Sequence, residues 1–448
     1  MTQASNRARH PMHPARLLAL GFLGLILLGS IALWLPFSTA PGQATPYLTA
    51  LFTATSAVCV TGLTVVETAT HWSTVGQVII LVLIQMGGLG VMTLSTSIFL
   101  LLGLRIRLPQ RLALREGLNI ESLSGVVRLL VHILAMTIVF EGIGAVLLAI
   151  GFWPHYHFQA IFMGIFHSVS AFNNAGFDLT GRSLVPYSHN ALVLLVHAFL
   201  IIFGGLGYSV ILQIISKIRG GRSVRWTLHV RWAIGVTVGL LVAGTVLVAA
   251  LEWNNPHTLG PMGVGWKILN AFFTSVTSRT AGFNSINTGL MLQPALLVIV
   301  LLMFIGASPG GTGGGIKTTT LATMVTGVWT VIRQRHDIEA GERRLSWEFF
   351  GRAVAIAMLS LALVMVVSVF ILILNHAPLL EAMFETTSAF GTVGLTMGLT
   401  PHLTSVSRVL IIMTMYLGRV GPLTAAVALA RSGSPSRIRY PETHVPIG

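Results

Sequence analysis

Four short segments of the chain share one pattern, and this repetition constrains the fold more than any other feature. In each segment, a run of small and hydroxyl-bearing residues leads to a glycine that is followed by leucine or phenylalanine. The glycines are Gly62, Gly176, Gly282 and Gly394, which are spaced by 106 to 114 residues. Four units of this size account for all 448 residues. The sequence therefore predicts four successive copies of one structural unit.

The composition places these units in a membrane. Hydrophobic residues make up 54% of the chain and charged residues only 9%, whereas a soluble domain carries about 25% charged residues. The net charge of +14 does not indicate a nucleic-acid partner, because the basic residues concentrate in the two termini and in three connecting segments. These segments are Arg105–Arg115, Lys217–Arg231 and Arg333–Arg352. The positive-inside rule assigns them, and both termini, to the cytoplasm.

Each unit has the same order of apolar stretches. A long stretch comes first, at about Arg16–Trp34, Leu123–Phe152, Thr227–Trp253 and Phe350–Leu374. A piece such as Tyr47–Val58 or Leu379–Phe390 follows; it is shorter than the roughly 20 residues that cross a bilayer, which indicates a re-entrant half-helix. The glycine segment comes next, and then a second long helix that begins near Val75, Ala191, Pro294 or Ser405.

This order predicts an all-α, multi-pass protein of the cell membrane with eight spans and four re-entrant loops. Its four repeats cover residues 1–118, 119–222, 223–340 and 341–448. Irregular backbone at membrane depth is tolerated only where it is buried in protein or lines a cavity. Four such loops therefore need a common centre, and we expect them to surround a central pore with pseudo-fourfold symmetry.

The glycine segments have the chemistry of an ion filter. Glycine accepts a positive φ, which lets successive carbonyl groups point the same way, and the carbonyl ends of half-helices bring partial negative charge to a cation. Thr392-Val393-Gly394 resembles the opening of the filter of K⁺ channels, where carbonyl oxygens replace the hydration shell of the ion. Helix packing is the alternative role for a single glycine. The predicted ion-binding residues, here called the filter segments, are Val60, Thr61 and Gly62; Asn174, Ala175 and Gly176; Thr280, Ala281 and Gly282; and Thr392, Val393 and Gly394.

A second glycine cluster follows each filter segment, and the cluster of the third repeat interrupts its helix. Ser308–Gly315 contains Pro309 and five glycines, and Pro and Gly cost about 3 and 1 kcal/mol in helix interiors. We therefore expect an intramembrane loop here. A phosphate-binding loop is excluded because Ile316 separates Gly315 from Lys317 and no strand precedes the run.

Three basic residues lie within apolar stretches, where an ionisable side chain normally faces a cavity or a partner. Lys317 and Arg419 flank the glycine clusters of the third and fourth repeats; the alternative for Lys317 is that its side chain reaches the cytoplasmic interface. Arg279 precedes Gly282 by three residues. We expect it behind the filter and paired with Glu385 or Glu141. Beyond the second filter glycine, Asp178 is a candidate for attracting cations to the outer mouth; the alternative is an acidic side chain of a solvated loop.

The combined motifs resemble those of the Trk/Ktr/HKT superfamily of K⁺ transporters, in particular the membrane subunit of its KtrB branch. The matching stretches are Thr55–Glu67, Ile84–Gly90, Ser278–Phe283, Gly306–Thr320, Phe390–Leu395 and Leu417–Thr424. The resemblance implies a homodimer with one pore in each subunit, a cytosolic ring of nucleotide-binding RCK-type subunits, and often Na⁺ dependence. It also implies that the loop 306–317 closes the pore below the filter. The implied gate residues are Ser308, Gly310, Gly311, Thr312, Gly313, Gly314, Gly315, Lys317 and Arg419.

The expected function is K⁺ uptake, with Na⁺ as a second candidate ion. An ion-coupled symporter of another cation is the alternative, since broken helices also mark secondary transporters; however, those folds often use inverted repeats, and an even number of crossings gives the four repeats one orientation. An enzyme would need converging His, Asp or Cys side chains, and the histidines are scattered. We therefore expect neither catalysis nor an organic cofactor in this chain.

Overall fold

A computed structural model of the protein describes residues 14–42, 44–90, 126–220 and 225–421. All four filter segments and the loop 306–317 lie within these ranges. The N-terminal arm, the connector Arg105–Arg115, the start of the second long helix at Leu123 and the C-terminal tail lie outside the described residues, as do the predicted repeat boundaries at 118 and 222.

Every repeat contains an outer helix, a short helix and an inner helix, in that order. The outer helices are Pro14–Trp34, Val126–Tyr156, Leu228–Glu252 and Trp347–Asn375. The short helices are Tyr47–Val58, Gln159–Phe172, Val264–Thr277 and Leu379–Gly391. The inner helices are Thr74–Leu89, Ala191–Leu206, Gln293–Phe304 and Ser405–Val420. All four outer helices are long and apolar enough to cross a membrane. The fold is thus mostly helical with several spans, as predicted.

Compared with a soluble protein, this structure exposes unusually many large apolar side chains and buries unusually many polar ones. The outer helices expose large apolar side chains such as Leu28 and Ile138, which suits contact with lipid. The short helices are buried together with their hydroxyl groups, for example Thr55, Ser56 and Ser388. Since lipid offers no hydrogen bonds, buried polar groups must find partners within the protein. The four short helices therefore point their polar ends into the interior.

The inner helices are shorter than predicted. They contain 12 to 16 residues, because each ends at its glycine cluster. Gly90, Gly207 and Gly421 have φ values of +83°, +92° and +90°, a conformation that ends a helix. The second inner helix breaks at Gly207 and turns by 101° into Tyr208–Gly220. The third leaves the helix after Phe304, as predicted, and the chain becomes helical again at Thr318–Ile332.

Close packing explains why the inner helices carry glycines. A methyl group on Gly87 would lie under 3.0 Å from the carbonyl oxygen of Val58, the last residue of the first short helix. Gly204 and Gly418 meet the carbonyls of Phe172 and Phe390 in the same way. The inner helices therefore support the ends of the short helices through backbone contact, which leaves no room for a side chain.

A small hairpin is the exception to the predicted all-α fold. Strand Ile338–Ala340 pairs antiparallel with Arg343–Leu345, with Ile338 opposite Leu345. The hairpin joins Thr318–Ile332 to the fourth outer helix, and the predicted repeat boundary at 340 falls at the end of its first strand. One-turn 3₁₀ segments and the short helix Thr68–His71 complete the connections between the described elements.

Candidate ion-binding site

The four filter segments form a closed ring. A methyl group added to any of the four glycines would lie under 3.0 Å from the carbonyl oxygen of the residue that precedes the next glycine of the ring. The pairs are Gly62 with Ala175, Gly176 with Ala281, Gly282 with Val393, and Gly394 with Thr61. The repeats therefore follow one another around a common axis, and the last contacts the first. In this order, repeats 1 and 3 face each other, as do repeats 2 and 4.

All four segments share one backbone conformation. The glycines have φ between +71° and +97°. The residue two positions earlier is also left-handed, although none of the four is glycine: φ is +57° at Val60, +58° at Asn174, +79° at Thr280 and +49° at Thr392. A left-handed conformation costs about 1–2 kcal/mol for a residue with a Cβ. Such strain persists where the surrounding structure imposes it, and it clusters at functional sites. The sequence offered no direct signal for this position except its fixed distance from each glycine.

The amide groups of the filter segments are bound on the side of the short helices. The amide of Gly62 donates to Ser56 Oγ at 3.0 Å, and that of Gly394 donates to Ser388 Oγ at 3.1 Å. This explains the hydroxyl-rich runs, because these serines stand six residues before their glycines. The third repeat has Val276 there, and its Gly282 amide donates to the backbone instead.

The carbonyl groups of the filter segments remain free. Among the described residues, none of these carbonyl oxygens accepts a hydrogen bond. Because every buried carbonyl needs a partner, a ring of free carbonyls at membrane depth is suited to a ligand that they can surround. A dehydrated cation is such a ligand.

The interrupted helix of the third repeat lies directly against the filter. The amide of Gly314 donates to Thr392 Oγ1 at 2.9 Å, and a methyl group on Gly313 would lie under 3.0 Å from Thr280 Oγ1. Thr280 and Thr392 are the first residues of the third and fourth filter segments. The loop thus contacts the ring at the end where the filter segments begin.

Hydrogen bonds fix the loop on several sides. The amides of Ser308 and Thr312 donate to the carbonyls of Gly205 and Gly204 at 2.9 and 3.1 Å. Thr312 Oγ1 donates to the carbonyl of Phe172 at 3.2 Å. The glycine content predicts a pliable segment, yet Ser308 and Thr312 are fully buried. The second repeat therefore holds the loop at the glycine cluster where its own inner helix ends.

Both basic residues predicted for the gate contact this loop. Arg419 donates through Nη1 to the carbonyl of Thr312 and through Nη2 to that of Gly87. Its guanidinium thereby joins the loop to the first inner helix. Lys317 Nζ donates to the carbonyl of Gly313 at 2.6 Å, so its side chain turns back onto the loop. Neither cation is paired with a carboxylate in the described part of the chain.

The predicted pairing of Arg279 with Glu385 or Glu141 is wrong. Arg279 is buried and donates to the carbonyl of Gly306 at 3.3 Å, which places it behind the filter as expected. Glu141 accepts from the side-chain amides of Gln85 and Asn173 at 3.2 and 3.0 Å. Glu385 accepts from hydroxyl and amide groups beyond the filter. Because both carboxylates are already satisfied, the arginine pairs with the backbone.

Asp178 supports its own loop instead of facing the outer mouth. Its Oδ2 accepts four hydrogen bonds, from the amides of Thr180, Gly181 and Ser183 and from Thr180 Oγ1, at 2.8 to 3.1 Å. Burial raises the pKa of the Asp178 carboxyl, and these hydrogen bonds oppose that rise. The carboxylate thus shapes the segment that follows the second filter glycine.

A family model described as TrkH, cation transport protein, matches residues 22–438. The chain belongs to this family of cation transport proteins. The family assignment agrees with the predicted membrane location, since its described outer helices are four apolar spans. The family is one of cation transport proteins and is not an enzyme family.

Individual relatives of this family match along the whole chain. The potassium/sodium uptake protein NtpJ of Enterococcus hirae is 40% identical over 100% of both chains. The Ktr system potassium uptake protein B of Bacillus subtilis is 39% identical, over 96% of each chain, and that of Vibrio alginolyticus is 40% identical, over 97% of this chain and 94% of the relative. The crystal structure of the potassium transporter TrkH from Vibrio parahaemolyticus matches with a TM-score of 0.74 at 17% identity, covering 96% of this chain and 87% of that chain. This last match shows a shared fold.

Proposed function

We propose that the protein takes up K⁺ across the cell membrane through the ring of four filter segments. The observation that carries this proposal is the closed ring of Gly62, Gly176, Gly282 and Gly394, with free carbonyl groups in every segment. Carbonyl oxygens replace the water that a K⁺ ion loses on entry. Four repeats supply them from one chain, so one subunit contains a complete pore.

The identity of the ion is supported by the relatives. Two are named potassium uptake proteins and one a potassium/sodium uptake protein. The filter segments suit a preference for K⁺ that is weaker than in a channel with four identical strands, because only Thr392-Val393-Gly394 has the Thr-Val-Gly sequence. Na⁺ is therefore proposed as a second ion, either carried or required for uptake.

The loop from Ser308 to Lys317 is proposed to close the path below the filter. It lies against Thr280 and Thr392, and the residues implied for the gate include Gly310, Gly311 and Gly315 as well as those already described. Lys317 and Arg419 add positive charge beside this path, which repels a passing cation most strongly where little water is present. Opening requires the loop to leave its hydrogen bonds with the second and fourth repeats.

The partners are proposed from the family resemblance and the basic connectors. We propose a homodimer with cytoplasmic termini and a cytosolic ring of nucleotide-binding RCK-type subunits, and no nucleic-acid partner. Arg333 and Arg335 are exposed at the end of Thr318–Ile332, the helix that follows the loop. A partner that moves this helix would pull directly on the loop. The nucleotide belongs to the partner, so this chain carries no organic cofactor.

Uptake of ⁸⁶Rb⁺ into proteoliposomes tests the proposal, with K⁺ and Na⁺ as competitors. The wild-type protein should take up Rb⁺ with K⁺ as the stronger competitor. Gly394→Ser should reduce uptake or the preference for K⁺, because a β-carbon has no room in the ring. Normal affinity and selectivity in a properly inserted Gly394→Ser protein would contradict the filter. Growth of K⁺-uptake-deficient cells, with and without Na⁺ and a cytosolic partner, tests the ion and partner requirements.

A further inference from the structure

Two side chains from short helices hold the backbone just beyond the filter. In repeat 2, the amide of Leu179 donates to His167 Nε2 at 3.2 Å. In repeat 4, the amide of Met397 donates to Glu385 Oε1 at 3.3 Å. Each acceptor stands nine residues before its filter glycine, and each amide stands three residues after it. His167 and Glu385 are therefore equivalent positions of the repeat that carry chemically different acceptors.

The histidine is fixed by a directed chain of hydrogen bonds. A backbone amide can only donate, so His167 Nε2 carries no proton and the proton lies on Nδ1. His167 Nδ1 then donates to His197 Nε2 at 3.2 Å, and His197 Nδ1 donates to the carbonyl of Val193 at 2.8 Å. Both rings are fully buried. This series of hydrogen bonds connects the segment beyond the filter to the inner helix of the same repeat through two neutral imidazoles.

The carboxylate in repeat 4 gathers several donors from the segment beyond its filter. Besides the Met397 amide, Glu385 accepts from Thr396 Oγ1, and its Oε2 accepts from Thr400 Oγ1 at 2.6 Å. Glu385 is fully buried, and a buried carboxylate is stable only when its oxygens are hydrogen-bonded. Residues 396–400 are therefore folded around this side chain.

Repeats 1 and 3 lack this support. Their equivalent positions are Thr53 and Phe273. Thr53 Oγ1 is buried and has no hydrogen-bond partner among the described residues, and a phenyl ring cannot accept from the backbone. In repeat 3, the amide of Asn284 donates to Ser183 Oγ at 2.8 Å, so this segment is bound to repeat 2. Among the described residues, a side chain nine residues before the filter glycine thus supports the backbone beyond the filter only in repeats 2 and 4, which face each other across the ring.

We propose that His167 and Glu385 are positioning residues that set the discrimination between K⁺ and Na⁺. They hold the backbone just beyond the filter segments of the opposing repeats 2 and 4, and so limit how closely the carbonyls of these segments can approach a smaller ion. The inference rests on the proposed function, since it assumes that ions pass through the ring. It adds a twofold pattern of support to a filter whose backbone has fourfold pseudosymmetry.

Ion competition in ⁸⁶Rb⁺ uptake by proteoliposomes tests this role. His167→Leu and Glu385→Leu each remove the acceptor and should lower the preference for K⁺ over Na⁺ about tenfold, in line with the loss of a buried hydrogen bond. His167→Gln and Glu385→Gln keep an acceptor oxygen and should retain most of the preference. Thr53→Val and Phe273→Leu change packing at the equivalent positions without removing such a bond, and should leave the preference unchanged.

Several outcomes would overturn the proposal. One is that monodisperse His167→Leu and Glu385→Leu proteins discriminate between K⁺ and Na⁺ as well as the wild type does. Another is that these two variants and Phe273→Leu all lose yield while their ion preference stays unchanged. If a leucine variant does not fold, Thr400→Val removes one donor to Glu385 and should still lower the preference severalfold, and no change there counts against the role of Glu385. If Gly394→Ser also leaves uptake and ion preference unchanged, the proposed function itself fails.

Discussion

The backbone amide of Gly314 donates to the side-chain hydroxyl of Thr392 at 2.9 Å. One residue belongs to the intramembrane loop and the other begins the fourth filter segment. Thr392 also has a left-handed backbone, with φ of +49°. The loop therefore binds the filter at one of its strained residues. The loop and the filter are therefore joined by a direct hydrogen bond, and a change in one is expected to reach the other.

Replacing Thr392 with valine tests this bond. Valine has nearly the same shape but no acceptor, so the buried Gly314 amide would lose its partner at a cost of about 1–3 kcal/mol. This destabilises the closed position of the loop, and ⁸⁶Rb⁺ flux should rise severalfold. Thr392→Ser keeps the hydroxyl and serves as the control. Equal flux in the valine, serine and wild-type proteins would show that the bond does not hold the loop.

Arg419 and the loop glycines should differ in their effect on selectivity. Arg419→Ala removes the link between Thr312 and Gly87, so flux should rise and depend less on the partner, while ion preference stays. Deletion within Gly310–Gly314 should raise flux and also reduce ion preference, because it removes the contact with Thr392. Arg419→Lys, which cannot span both carbonyls, should lie between wild type and Arg419→Ala. If flux is unchanged or lower in both the Arg419→Ala and the deletion variants, and both proteins are properly folded, the proposed role of the loop as a gate is contradicted.

The close contacts in the ring predict that the filter glycines tolerate substitution much less well than glycines of the outer helices. Gly62→Ala should abolish most uptake, because its methyl group would collide with the Ala175 carbonyl and its φ of +87° adds a cost of about 1–2 kcal/mol. Gly24, on the first outer helix, has open space around it, so Gly24→Ala should leave uptake near that of the wild type. The measurement is initial uptake per inserted protein. Equal activity of the two variants would contradict the close contact in the ring.

Cysteine labelling tests the orientation of the repeats. Cys59 is buried, and Cys59→Ala provides the background. Gly220→Cys and Glu342→Cys should react only from the cytoplasm, and Arg182→Cys and His402→Cys only from outside. Reaction of Gly220→Cys from outside would contradict four repeats of the same orientation.

Local patterns in the sequence predicted the parts of the fold that depend on local order. The first short helix has the predicted bounds, Tyr47–Val58, because a short apolar run ends at a glycine segment. The early ends of the first, second and fourth inner helices could not be predicted, because the reason for their glycines lies in another helix: Gly87, for example, packs against the Val58 carbonyl. The same limit applies to the candidate site. The repeated glycines can be recognised in the sequence, whereas the hydrogen bond from Gly314 to Thr392 joins residues 78 positions apart and leaves no local pattern.

The most direct test of the account is to locate the ions. Crystals of the protein soaked in Rb⁺ should show anomalous density on the axis of the ring, coordinated by carbonyl oxygens of the segments that end at Gly62, Gly176, Gly282 and Gly394. Added K⁺ should displace Rb⁺ and weaken this density. The same concentration of Na⁺ should weaken it less. Well-ordered crystals with Rb⁺ density elsewhere and none on this axis would contradict the central claim.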